Sequence, residues 1–261
     1  MKEFCLMFRP FVLAAAALSL SLPAVAFEPP PEGSSLNKAF EGESYSPYAA
    51  RNFPSLPLWG DTHLHTSTSF DAGAFGNRLD ARAAYRFAKG EEVTATTGMK
   101  VRLSRPLDFL VVADHSDNMG LFDLIFAGDR SITSDPEGKR IYEMVQAGGD
   151  KAVQASLELI DSFSKGEKIS DALNVVPGTK IFRSVWDRQI AAAEEANEPG
   201  RFTAFIGYEW TSLAPPGNNW HRVVIYRDDA TRASQTVPFT TQPPMGSIYP
   251  EDLWKALQAY E

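Results

Sequence analysis

Residues 106–115 read Pro-Leu-Asp-Phe-Leu-Val-Val-Ala-Asp-His, and this stretch decides the fold class. Residues 107–113 form a nearly continuous apolar run, closed by Pro106 on one side and Asp114 on the other. A strand of that composition is buried on both faces, as in a parallel sheet covered by helices. Its end brings a carboxylate, Asp114, and an imidazole, His115, to the carboxyl edge of the sheet, where α/β folds place their sites. The bland alternative is an Asp capping the following turn with a hydrogen-bonded His beside it.

Three more apolar runs read as strands: residues 56–61, leading into His63; residues 202–208, after the helix-stopping Pro199-Gly200; and residues 223–226. Helical patterns alternate with them. Residues 79–89 place Ala81, Ala84, Tyr85 and Ala88 at helical spacing before Gly90. Residues 140–165 read as two helices broken at Gly148-Gly149, and residues 180–197 carry Ile181, Val185, Ile190 and Ala193 along one face. A last helix opens at Pro250, with Glu251 and Asp252 in its first turn. Strands alternating with helices give an α/β class with a mainly parallel sheet. The long connection 118–180 is expected to roof the site.

The chain of 261 residues is 44% hydrophobic and 22% charged, which excludes a disordered or fibrous protein. Its net charge of -8, with Lys and Arg scattered, argues against nucleic acid as a partner. Residues 1–26 read as a signal peptide: Lys2 and Arg9 precede the apolar run 11–22, and Ala24-Val25-Ala26 fits a cleavage site. That run is shorter than the roughly 20 residues needed to span a bilayer, so no stable membrane insertion is expected after cleavage. Retention as an uncleaved interfacial anchor is the alternative. Cys5, the only cysteine, falls inside this segment, so the mature chain has neither a disulfide nor a thiolate ligand. A periplasmic or secreted destination is expected. Residues 27–44 form a Pro-rich linker, and the domain occupies 45–261.

The four histidines, His63, His65, His115 and His221, each sit at or beside the end of an expected strand. His63 and His65 are two residues apart, which on an extended backbone turns both rings to one face and lets them reach one ion. Asp61 can orient one ring from behind. Glu209 closes the run 202–208 at the same edge, either bridging two ions or standing as an exposed rim carboxylate. Asp71 lies in a Ser/Thr/Gly loop, as a ligand or a solvated turn residue. His221 opens the fourth run, as a ligand or a turn residue. Together these six point to a site for divalent metal ions, with zinc, manganese or iron suited to imidazole and carboxylate donors.

This order resembles the PHP (polymerase and histidinol phosphatase) superfamily. His63-Leu64-His65 followed by Asp71 resembles its first motif, Ala113-Asp114-His115 its second, Gly207-Tyr208-Glu209 its third, and His221-Arg222-Val223-Val224 a further His before a strand. More narrowly, residues 58–76 (LWGDTHLHTSTSFDAGAFG), 104–121 (SRPLDFLVVADHSDNMGL), 207–212 (GYEWTS) and 217–226 (GNNWHRVVIY) are similar to an exported PHP-like subgroup catalogued as domain of unknown function 3604. The resemblance covers most of the mature chain. It implies part of a distorted (β/α)7 TIM-like barrel holding two or three divalent ions. It also implies hydrolysis, typically of a phosphoester in a small anionic substrate, by a metal-bound hydroxide.

In that scheme His63 and His65 with Glu209 hold one ion, Asp71 and His115 another, and His221 helps at a neighbouring position. Asp114, Asn219 and Arg222 support the ligands or orient the substrate; for Arg222 a rim salt bridge is an equal alternative. One departure is plain. The later ligands of PHP sites include an Asp-x-His motif, and no histidine follows His221. The chain therefore reads as the N-terminal part of such a domain, with the C-terminal strands missing, or as a degraded relative that binds metal without catalysis. Hydrolysis of another ester, a sulfate ester or an amide is a rival that keeps the same metals.

Overall fold

In the computed structural model, which describes residues 57–214, 218–243 and 245–261, seven strands are present: β1 (Gly60–Leu64), β2 (Val93–Thr94), β3 (Lys100–Val101), β4 (Phe109–Val112), β5 (Thr203–Phe205), β6 (Gly207–Ala214) and β7 (Asn218–Ile225). The expected signal peptide of residues 1–26 and linker of 27–44 lie outside the described residues. β1, β4 and β5 form a parallel sheet in the order β1-β4-β5, whereas β2–β3 and β6–β7 are antiparallel pairs. The class is mixed α/β, and among the described residues the sheet does not close into a barrel.

The helices are α1 (Phe70–Ala74), α2 (Ala81–Ala88), α3 (Leu121–Ala127), α4 (Arg130–Thr133), α5 (Pro136–Ala147), α6 (Gly149–Ser164), α7 (Lys180–Ala196), α8 (Ala230–Ala233) and α9 (Pro250–Tyr260). None among the described residues is long and apolar enough to cross a membrane. Their ends follow local chemistry. The Asp80 carboxylate accepts from the Ala83 N–H at the start of α2, and Thr179 Oγ1 accepts from the Phe182 N–H at the start of α7. The break between α5 and α6 falls where the sequence put it, with Gly148 and Gly149 at φ 68° and 55°.

Three strand expectations need correction. The first strand is not 56–61 but Gly60–Leu64, so His63 lies within it. Gly60 is the position that fits against β4, since a Cβ there would stand 2.3 Å from the Phe109 carbonyl oxygen. The run 202–208 is likewise not one strand. It changes partner at Ile206, with β5 remaining in the parallel sheet and β6 leaving to pair with β7, which begins at Asn218 rather than 223. Gly207 permits the switch, because a Cβ there would meet Val111 Cγ1 at 2.5 Å and the Val224 carbonyl oxygen at 2.8 Å.

Behind the sheet, α2 packs against α7 and β4, and α7 against β5. Leu110, Val112, Phe182 and Trp186 are fully buried there, each such side chain contributing about 1.5–3 kcal/mol by removal from water. Trp186 meets Tyr208 and Tyr226 with ring centroids 6.1 and 5.8 Å away, which fixes α7 to the β6–β7 hairpin. The connection 118–180 supplies α3 to α6. Of these, α3 packs on α1, and Ser156 of α6 donates to the Ala74 carbonyl at 2.8 Å. Its visible consequence is to buttress the short helix that carries Asp71.

Candidate metal centre

β1 and β4 are out of step by one residue: Asp61 faces Leu110, whereas Leu64 faces Val112. The extra residue makes a bulge that re-aims the chain around His63. Asp61 Oδ1 accepts the backbone N–H of His63 at 2.8 Å, so this carboxylate shapes the bulge and does not orient an imidazole ring. At the end of β4, the Glu209 N–H donates to the Asp114 carbonyl and the Ser116 N–H to the Glu209 carbonyl, each at 2.9 Å or less. This short parallel bridge seats Glu209 beside His115. Glu209 is therefore not a rim residue: it is fully buried inside β6.

All four imidazoles surround this one carboxylate. Glu209 Oε2 lies 2.9 Å from His63 Nε2, 2.9 Å from His65 Nε2 and 3.4 Å from His115 Nδ1, while Oε1 contacts His221 Nδ1. Neighbouring ring centroids are 4.7 Å apart for His65–His115, 5.0 Å for His63–His65 and 6.0 Å for His115–His221. Asp71 forms a second focus. It lies in the first turn of α1 rather than in a loop, and its Oδ1 and Oδ2 stand 3.0 and 3.1 Å from His65 Nδ1, with Oδ2 3.6 Å from His115 Nε2. The side chains of His65 and His115 are 16% and 14% exposed, against 44%, 43% and 43% for His63, Asp71 and His221. The site thus has a floor and an open rim.

Ser69 and Thr211 also belong to the site, although no spacing in the sequence singled them out. Ser69 occupies the N-cap position of α1 without capping it. Its hydroxyl instead donates to Asp71 Oδ1 at 2.6 Å, lies 3.1 Å from His65 Nδ1 and accepts the His115 N–H at 3.1 Å. Thr211 is two residues beyond Glu209 on the same strand face. Its hydroxyl donates to Glu209 Oε1 at 2.9 Å and lies 2.9 Å from His115 Nδ1 and 3.2 Å from His221 Nδ1. Such outer partners fix ligand orientation.

Asp114 is fully buried. It accepts the Thr66 N–H and the Thr66 hydroxyl, tying the ends of β1 and β4 together. Burial pushes its pKa up to about 6, against the hydrogen bonds from Thr66. It is a positioning residue rather than one that meets substrate. Arg222 also falls outside the cluster. It pairs with Trp210, one step out of phase with His221 and Thr211, so strand alternation sends it to the other face, and its guanidinium donates to the His221 carbonyl at 2.7 Å. Asn219 shares the face of His221, opposite Leu213, and is exposed.

The ligand atoms form three groups, each with its members within 4.8 Å of one another: His63–His65–Glu209, His65–Asp71–His115 and His115–Glu209–His221. The groups overlap, with His65, His115 and Glu209 each belonging to two of them. The nitrogen and carboxylate donors suit zinc, manganese or iron. His65 Nε2 is buried and, despite its approach to Glu209, finds no aligned hydrogen-bond partner among the described residues. An orphaned ring nitrogen facing a buried carboxylate fits a metal-ligand position. Charge balance agrees. Burial acts to lower the His65 pKa, but the adjoining Asp71 and Glu209 carboxylates outweigh it and raise it to about 10. Burial acts to raise Asp71 and Glu209, yet the surrounding imidazoles hold both well below the usual carboxylate range. The cluster is built to contain positive charge.

A family model described as "Protein of unknown function (DUF3604)" matches residues 52–261. No curated protein and no solved structure matches the chain.

Proposed function

The chain belongs to the DUF3604 family, and on that premise we propose that it is an exported, metal-dependent hydrolase of the PHP type, acting on a phosphoester in a small anionic substrate. The observation that carries this reading is the buried Glu209 carboxylate encircled by four imidazoles, with Asp71 as a second anionic focus. Divalent ions bound there supply Lewis acidity toward phosphoryl oxygens and lower the pKa of water. The chain's own part is positional. Glu209 and Asp71 would hold the cations together with the imidazoles, and Ser69 and Thr211 hold the ring orientations. The half-exposed His63, Asp71 and His221 leave one side of the cluster open to an anionic group. The barrel reading rests on β1: its residues Gly60 to His63 are exposed, and one edge is unpaired among the described residues, as for a sheet that continues around a barrel. A periplasmic or secreted location rests on the signal-like residues 1–26.

The test offers aryl phosphate monoesters and diesters, aryl acetate and aryl sulfate to the full chain loaded with manganese or zinc. Phosphate esters are expected to turn over fastest, with activity lost in chelator and restored by metal. Preference for acetate or sulfate would move the protein to another hydrolase class. Metal-dependent binding of phosphate esters without turnover would make it a binding protein.

A further inference from the structure

Among the buried residues of α7, Gln189 alone is polar. It stands on the helix stripe that carries Phe182, Trp186 and Ala193 and is 4% exposed. Helical spacing puts an apolar side chain at such a position. Burying an amide there costs free energy unless its hydrogen bonds are used. They are used behind the metal centre. Gln189 Nε2 donates to the carbonyl of Val112, the last residue of β4, at 3.3 Å. The same amide favours the ionised carboxylate of Asp114, two residues further on, against the burial that pushes its pKa up.

Asp114 in turn touches the segments of three candidate ligands. Its carboxylate accepts the N–H and hydroxyl of Thr66, the residue after His65. Its carbonyl accepts the Glu209 N–H, and His115 follows it in the chain. His65, His115 and Glu209 are the residues that belong to two ligand groups each. α7 supplies no member of those groups, and this amide carries its packing to them.

We propose that Gln189 is a positioning residue for the metal centre, holding Asp114 and through it the main-chain settings of His65, His115 and Glu209. The inference rests on the metal-site part of the reading above, not on the bond that is cleaved.

Cobalt(II) titration of the full chain tests this, read as affinity by competition and as the visible spectrum of the bound ion. The chains compared are wild type, Gln189→Met, Gln189→Leu and the control Phe182→Leu. Methionine and leucine fill the space of the amide without its donors, whereas Phe182→Leu loosens the same helix face two turns away. Folded Gln189→Met is expected to bind cobalt about 10- to 100-fold more weakly, with a shifted spectrum. Phe182→Leu should lower the melting temperature and leave affinity and spectrum unchanged. In an Asp114→Ala background, Gln189→Met should weaken binding by less than about threefold more. Wild-type affinity and spectrum in a folded Gln189 variant, the same change in Phe182→Leu, or a full further loss in the Asp114→Ala background would overturn the assignment. Unfolding of both Gln189 variants would also overturn it, since the amide would then be structural. A wild-type chain that takes up no cobalt would overturn the metal centre and this role with it. Cobalt binding with the expected shifts but no ester turnover would overturn the hydrolase reading alone.

Discussion

With no ion bound, the proton held on His65 stands in for a cation between Asp71 and Glu209. Binding a divalent ion must displace that proton, so affinity rises with pH, by about tenfold per unit between pH 6.5 and 9. Competition titrations across that range check the slope; a flat profile would count against a protonated His65. Linkage runs the opposite way for the ion-free protein. The folded pKa of about 10 lies above the ordinary 6.5, so the stability it contributes is complete below 6.5 and is lost as pH rises through 10. Chelator-treated protein is therefore expected to melt at progressively lower temperature from pH 7 to 10, by thermal denaturation. Ser69→Ala should weaken metal binding about 10- to 100-fold through its loss from Asp71, His65 and the His115 N–H, with circular dichroism unchanged. Five of the six candidate ligands, the four imidazoles and Glu209, were legible because they recur at or beside strand ends, whereas Asp71 stood in a Ser/Thr/Gly loop. Ser69 and Thr211 were not, since a hydroxyl in the Thr-Ser-Thr-Ser run of 66–69, or in the Trp-Thr-Ser of 210–212, carries no spacing signature.

Elements decide whether those ligands converge. Gly207 is where the chain leaves the parallel sheet for the β6–β7 hairpin, pressed between Val111 and the Val224 carbonyl. Gly207→Ala is expected to cost about 1–3 kcal/mol in urea unfolding and, by shifting Glu209 two residues on, to lower metal content as well. Unchanged metal content in a destabilised variant would separate the hairpin from the site. The helices Ala81–Ala88 and Lys180–Ala196 were legible because their apolar spacing is a local signal, as is the break at Gly148-Gly149. The hairpin was not. The apolar pattern of 202–208 runs largely unbroken through the change of partner at Ile206, and the exposed Asn219 to His221 stretch of β7 lacks the apolar run that marks a buried strand. This is why Glu209 could be read as a rim carboxylate although it is buried.

At the scale of the molecule, two layers meet at the cluster. α2 and α7 hold β4 and β5 from behind, with Gln189 of α7 donating to the Val112 carbonyl at 3.3 Å just before Asp114. The α3 to α6 connection holds α1 and Asp71 from the side. Each layer presents part of the candidate ligand set, and a cation between Asp71 and Glu209 would offset their like charges. Metal binding should therefore stabilise the whole domain by mass action. The most direct test is elemental analysis of the full chain after reconstitution with manganese or zinc and dialysis, for wild type and Glu209→Ala. The three convergent ligand groups predict about two to three ions per wild-type chain, fewer than about one in Glu209→Ala, and a melting temperature lowered by chelator only in the wild type. A wild-type chain holding less than about one ion, with melting unmoved by chelator, would contradict the account.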